Sequence, residues 1–118
     1  MVEATDSRRL LSECGWADEA IPSVKTLVNS ISWLAVESGE GDQLVGFLRV
    51  LSDNDVVTYI AELAVAEPFR ARGVGRLLMA ACRDQFRKTR IDVLSSATAR
   101  PFYEALGYSA RPAYRSYG

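Results

Sequence analysis

The chain alternates between stretches with helical and with strand-like apolar spacing. Residues 6–14 and 22–29 read as two short helices separated by Gly15-Trp16, with Asp6 or Thr5 placed to cap the first and Pro22 suited to the first turn of the second. The period then shortens. Residues 31–37 predict a strand, Gly39-Glu40-Gly41-Asp42 a hairpin turn, residues 43–51 a second strand, and Ser52-Asp53-Asn54-Asp55 the next turn. Residues 56–65 (VVTYIAELAV) are apolar on both faces, the pattern of a central strand covered by helices. Glu67-Pro68 ends that strand, and residues 69–76 form a loop that leads into a helix running to about Lys88. The helix carries Val74, Leu77, Leu78, Ala81, Cys82 and Phe86 on one stripe, with Arg76, Arg83 and Arg87 off it. Residues 91–94 predict a short strand and residues 98–106 a helix capped by Ser96 or Thr98 and stopped by Gly107. One or two further strands are expected after Tyr108.

Strand, glycine loop, helix is a geometry that suits phosphate. The first turn of a helix has unpaired N–H groups and the positive end of the helix dipole, and glycines let an oxygen approach the main chain. Gly73 and Gly75 give that access, and Arg70, Arg72 and Arg76 add positive charge. A glycine pair alone usually marks a structural turn. Two familiar phosphate motifs fail here. G-x-x-x-x-G-K-S/T needs a Gly-Lys pair, which the chain lacks, and a dinucleotide fingerprint needs glycine where Leu78 stands.

Charge supports a polyanion site. The 118 residues include 14 Lys and Arg against 15 Asp and Glu. Residues 1–67, however, carry four basic and twelve acidic side chains, whereas residues 68–118 carry ten basic and three acidic. Halves of net −8 and net +7 suggest a polyanion in the second and a cationic partner in the first, unless the two intermix in the fold and neutralise each other. The length suits a single domain over residues 1–118 that needs no metal or disulfide for its core. With no membrane-length apolar run and no signal-type segment, the chain reads as cytoplasmic. It contains no histidine, and Cys14 and Cys82 are isolated, so a zinc site or a Ser/His or Cys/His pair is not expected. Proton transfer falls to a carboxylate, tyrosine, thiol, amine or water.

Arg70-Ala71-Arg72-Gly73-Val74-Gly75 resembles the acetyl-coenzyme A signature R/Q-x-x-G-x-G/A of the GNAT superfamily of N-acetyltransferases. Residues 99–108 (ARPFYEALGY) are similar to that superfamily's later A-x-x-F-Y-x-x-L-G-F/Y segment, at the right distance. Gly46-Phe47-Leu48-Arg49-Val50 with Asp53, then Leu63-Ala64-Val65, fit the preceding strands, so the resemblance covers about residues 31–108. It implies an α/β fold with a mixed, centrally splayed β-sheet flanked by helices, and acetyl-coenzyme A in the opening between the long strand and the strand at 91–94. It implies that main-chain groups of Leu63, Ala64 and Val65 take the acetyl carbonyl and pantetheine arm, and that N–H groups of residues 70–76 take the pyrophosphate. Of the side chains, Arg70 and Arg72 are expected at phosphate. Ser96 stands where the family often has an asparagine that contacts the cofactor arm. The usual first strand is missing or vestigial, a shortened N-terminus, and a partner subunit in a homodimer could complete the acceptor pocket.

The implied reaction is direct transfer of acetyl to an amine, from a small molecule or a peptide. At pH 7, deprotonating a lysine-like amine of pKa ~10.4 costs about 4.6 kcal/mol, and expelling a cysteine-like thiolate of pKa ~8.5 about 2 kcal/mol, so deprotonation is the larger problem. Tyr103 is the expected acid for the departing sulfur. Glu62, alone among acidic residues inside the long strand, points either to the acceptor site as a base acting through water or into a salt bridge with Arg49; it shares a face with Ile60 and Ala64 unless a bulge intervenes. Cys82 falls on the buried stripe and reads as core, against a covalent acyl-cysteine route. The alternative reading is a non-catalytic acyl-coenzyme A sensor or interaction module. Nucleic acid and membrane are not expected partners. The acidic set Glu37, Glu40, Asp42, Asp53 and Asp55 leans towards a cationic acceptor, although turns commonly hold such residues.

Overall fold

The computed structural model describes residues 2–39 and 41–118. Its elements are α1 (Ala4–Glu13), a 3₁₀ turn (Asp18–Ala20), α2 (Val24–Val28), β1 (Ile31–Glu37), β2 (Gln43–Ser52), β3 (Val57–Val65), a 3₁₀ turn (Glu67–Phe69), α3 (Val74–Gln85), β4 (Arg90–Val93) and α4 (Arg100–Ala105). The strands form one sheet in the order β1-β2-β3-β4. The first three are antiparallel neighbours, and β4 joins β3 in parallel after the α3 crossover.

Helix α1 starts earlier than its sequence suggests. Glu3 is the N-cap, and Asp6 at the third helical position reaches back to the Glu3 N–H at 2.8 Å, so Asp6 completes a capping box from inside the helix. Ser23 caps α2 by accepting the Thr26 N–H, which leaves Pro22 just outside the helix. Helix α3 stops at Gln85, short of Lys88, because the Arg83 guanidinium draws the Phe86 and Thr89 carbonyls together at 3.0 and 2.8 Å. Helix α4 begins at Arg100 and not at Thr98, since Ser96 first closes a turn onto the Ala99 N–H. The expected strands after Tyr108 are not formed: the segment is irregular and, among the described residues, makes no main-chain to main-chain hydrogen bonds beyond Tyr108.

Each face of the sheet buries its own core. Leu48, Val50 and Ile60 pack with Leu78, Met79 and Cys82 of α3, with Phe86 just beyond its end, and with Tyr103 of α4. On the other face Leu44, Phe47 and Ala64 pack with Leu10 and Leu11 of α1 and Leu27 of α2. Two bulges make this division. In β2 the register skips Val45 opposite β1, and in β3 it skips Ala61 opposite β2. Ile60 therefore serves the α3 side while Ala64 serves the α1 side, although strict alternation would put both on one face. Gly46 permits the close seat of α3, since a Cβ there would lie 2.7 Å from Val74 Cγ1.

The sheet is splayed where function is expected. β4 pairs with β3 only from Val57 to Ile60, so β3 runs on to Val65 with no neighbour on that edge. Among the described residues no helix is long and apolar enough to cross a membrane.

Candidate functional site

The open edge of β3 leads directly into the phosphate-type loop. Ala66 N–H bonds to the Val45 carbonyl on the β2 side, so alternation turns the main-chain groups of Leu63 and Val65 the opposite way, into the splay. After the 3₁₀ turn, Ala71 (φ 61°) and Gly73 (φ 84°) both take the left-handed conformation and swing the chain into α3. The main-chain N–H groups of residues 71–76 find no protein acceptor among the described residues; the first one satisfied is that of Leu77, by the Gly73 carbonyl. A run of free N–H groups at the start of a 12-residue helix is an anion cradle.

A cavity of about 520 Å³ joins that cradle to the splay, lined by Leu63, Val65, residues 69–71 and 73–76 of the turn, Ala99, and Phe102 and Tyr103 of α4. Gly75 has a packing role here: the Phe102 ring would be 3.2 Å from a Cβ at that position, so the glycine lets Phe102 close the cavity wall. Tyr103 is only 8% exposed and packs edge-on to Phe102 and against Tyr108. Burial, and then the neighbouring Tyr108, push its pKa up to about 12. Its hydroxyl bonds to no protein group among the described residues and opens to solvent.

A family model for the acetyltransferase (GNAT) domain matches residues 25–118. The chain belongs to the GNAT acetyltransferases. A curated relative, the uncharacterized N-acetyltransferase ycf52 of Gracilaria tenuistipitata var. liui, is 27% identical over 94% of this chain, which spans 64% of that relative's length. Among solved structures, the GNAT protein SP0256 from Streptococcus pneumoniae TIGR4 superposes with a TM-score of 0.79 at 21% identity, covering 100% of this chain and 94% of its own. AAC(6')-Iy, solved with the bisubstrate analogue CoA-S-monomethyl-acetylneamine, gives 0.75 at 19% identity over 98% and 90% of the two chains. The splayed mixed sheet flanked by helices is thus the GNAT fold that the motifs implied.

Within this GNAT domain the sequence-predicted residues separate into two groups. Leu63, Val65, Arg70, Ala71, Gly73, Val74, Gly75, Arg76 and Tyr103 line the cavity. Ala64 does not: it is buried under α1, and its main-chain groups face β2, which corrects the expectation that all three residues of Leu63-Ala64-Val65 face the cofactor. Arg72 stacks its guanidinium 5.3 Å from the Phe69 ring centroid. Ser96 lies outside the cavity and spends its hydroxyl on the Ala99 N–H, so it starts the turn towards α4. Phe69, Ala99 and Phe102 also line the cavity; Ala99 and Phe102 belong to the A-x-x-F-Y segment, whereas Phe69 carried no sequence signal of its own.

Glu62 takes the salt-bridge direction. It is 5% exposed, and Arg49 Nε and Nη2 donate to its two oxygens at 2.6 and 2.7 Å. The bond to Glu62 raises the Arg49 pKa above its ordinary value. Through the Ala61 bulge both residues lie on the α1 face, across the sheet from Tyr103. Of the acidic set, Asp53 uses one carboxylate oxygen to accept the N–H groups of Asp55, Val56 and Val57, so it builds the turn at the end of β3 opposite Val65. Cys82 is fully buried and burial pushes its thiol pKa up, consistent with a core residue.

Proposed function

We propose that this domain transfers the acetyl group of acetyl-coenzyme A directly to an amine, on a small molecule or a peptide. The observation that carries the reading is the continuity of one cavity, from free N–H groups that suit a pyrophosphate to the open strand edge and a buried tyrosine. When bound, the cosubstrate supplies an activated thioester. The N–H groups of residues 71–76 hold the pyrophosphate, and Arg72 and Arg76 add charge beside it. The free edge of Leu63 and Val65 orients the pantetheine arm. Tyr103 stays protonated through the neutral range and gives its proton to the departing sulfur. The amine proton leaves to water, since both oxygens of Glu62 are held by Arg49 on the α1 face.

Direct transfer is also supported by the bisubstrate analogue bound to AAC(6')-Iy, a protein of the same fold. Two free thiols, Cys14 and Cys82, agree with a reducing, cytosolic setting. The test is thiol release from acetyl-coenzyme A across an amine panel, with cofactor affinity measured by calorimetry. The proposal expects micromolar-range binding and turnover on at least one amine class. Tight binding without turnover on any amine would overturn it.

A further inference from the structure

Arg70 is the cation that the sequence places first at phosphate, yet its bond runs the other way. Its Nε donates to the Val65 carbonyl at 2.9 Å, back across the 3₁₀ turn to the end of β3. The Cys14 thiol, at the end of α1, donates to the same carbonyl at 3.5 Å. That carbonyl belongs to the strand edge that faces the splay, and the free N–H groups begin immediately after Arg70. One oxygen thus joins the end of α1, the end of β3 and the start of the anion cradle.

Resting on the proposed cofactor site, we propose that Arg70 is a positioning residue: its guanidinium clamps the Val65 carbonyl and so sets the cradle against the strand edge that receives the pantetheine arm. The clamp satisfies the Val65 carbonyl in the free protein and leaves the Val65 N–H and the main-chain groups of Leu63 for the arm. Charge is secondary to the donor's position. Arg Nε is bonded to Cδ, and Gln Nε2 is bonded to Cδ as well, so glutamine can place a neutral donor at the same point, whereas lysine keeps the charge but carries its nitrogen one carbon further out.

This makes opposite predictions for two ligands and three substitutions. Binding of S-acetyl-coenzyme A and of S-acetylpantetheine, which lacks phosphate, is measured by calorimetry for the wild type and for Arg70→Ala, Arg70→Gln and Arg70→Lys, with thermal melts confirming folding. The clamp expects Arg70→Ala to weaken both ligands by a similar factor, about tenfold for a lost charge-assisted hydrogen bond. Arg70→Gln recovers most of that loss, and Arg70→Lys recovers less. A loss confined to S-acetyl-coenzyme A, restored by lysine and not by glutamine, would mark Arg70 as a phosphate ligand and overturn the clamp. If the wild type binds neither ligand, the cofactor site itself is misassigned, which separates failure of that reading from failure of the clamp.

Discussion

Tyr103 and Glu62 show how much of a residue's chemistry is set by where the fold buries it. Because the folded Tyr103 pKa is about 12 against about 10 in an unfolded chain, the unfolded state releases the proton first as pH rises. Its contribution is fully present below pH ~10 and is lost towards pH ~12, about 2–3 kcal/mol in all at ~1.36 per unit. Denaturation midpoints between pH 9 and 11 should fall for the wild type and fall less for Tyr103→Phe. The same variant should lower kcat by about 10²-fold with KM nearly unchanged, if its proton is the one delivered to sulfur. For Glu62 the ion pair separates stability from catalysis. Arg49→Met alone should cost about 3–5 kcal/mol by stranding a buried carboxylate, while Arg49→Met with Glu62→Leu should recover most of it in chemical denaturation. Transfer activity should be retained by that double variant, the result for a carboxylate that only pairs with Arg49; its loss would restore Glu62 as the base. Ala71 pays for its left-handed conformation, so Ala71→Gly should stabilise the fold by about 0.5–1 kcal/mol with cofactor affinity retained.

At the scale of elements, two glycines act in opposite ways. A methyl at Gly46 would press on Val74, Ala35 and Leu78 at 2.7 to 3.1 Å, so Gly46→Ala should lift α3 from the sheet and cost about 1–3 kcal/mol. At Gly75 the neighbour is the Phe102 ring at 3.2 Å, and alanine's better helix propensity, worth about 1 kcal/mol, offsets the crowding. Gly75→Ala should leave the melting temperature nearly unchanged while weakening coenzyme A binding in calorimetry, because Phe102 is a wall of the cavity. The period-2 apolar runs made the strands legible: β1 spans the expected Ile31–Glu37, and β3 differs by one residue at its start. The cradle was legible because glycine and arginine spacing has direct backbone meaning. The Arg70 bond to Val65 and the contact of Phe102 with Gly75 were not, since each depends on how separate segments meet in three dimensions. The tail stays irregular because Pro112 removes a ladder donor and its Ala, Ser and Gly residues favour no strand pairing along β4.

For the whole molecule, the acidic part of the sequence supplies α1, α2 and the antiparallel strands, and the basic part supplies α3, β4 and α4. The two parts meet along the sheet, where β4 pairs with β3 and α3 packs on β2, while Arg70, Arg72 and Arg76 keep their positive charge at the anion cradle. Coenzyme A affinity should therefore fall several-fold between about 50 and 500 mM salt, while S-acetylpantetheine affinity changes little, as titrations at the two ionic strengths would show. The Ala61 bulge has a consequence for how such a chain tolerates change in length. Upstream of it the even-numbered position Ile60 faces α3, and downstream the even-numbered position Ala64 faces α1, so the extra residue works like a shift of reading frame between two cores. Deleting Ala61 would present Ile60 and Thr58 to the wrong layer, whereas a deletion in the exposed turn at Asn54 or Asp55 would alter only a loop. A single-residue deletion scan across residues 53–65 should show that asymmetry, with length itself, independent of side-chain chemistry, as the constrained quantity.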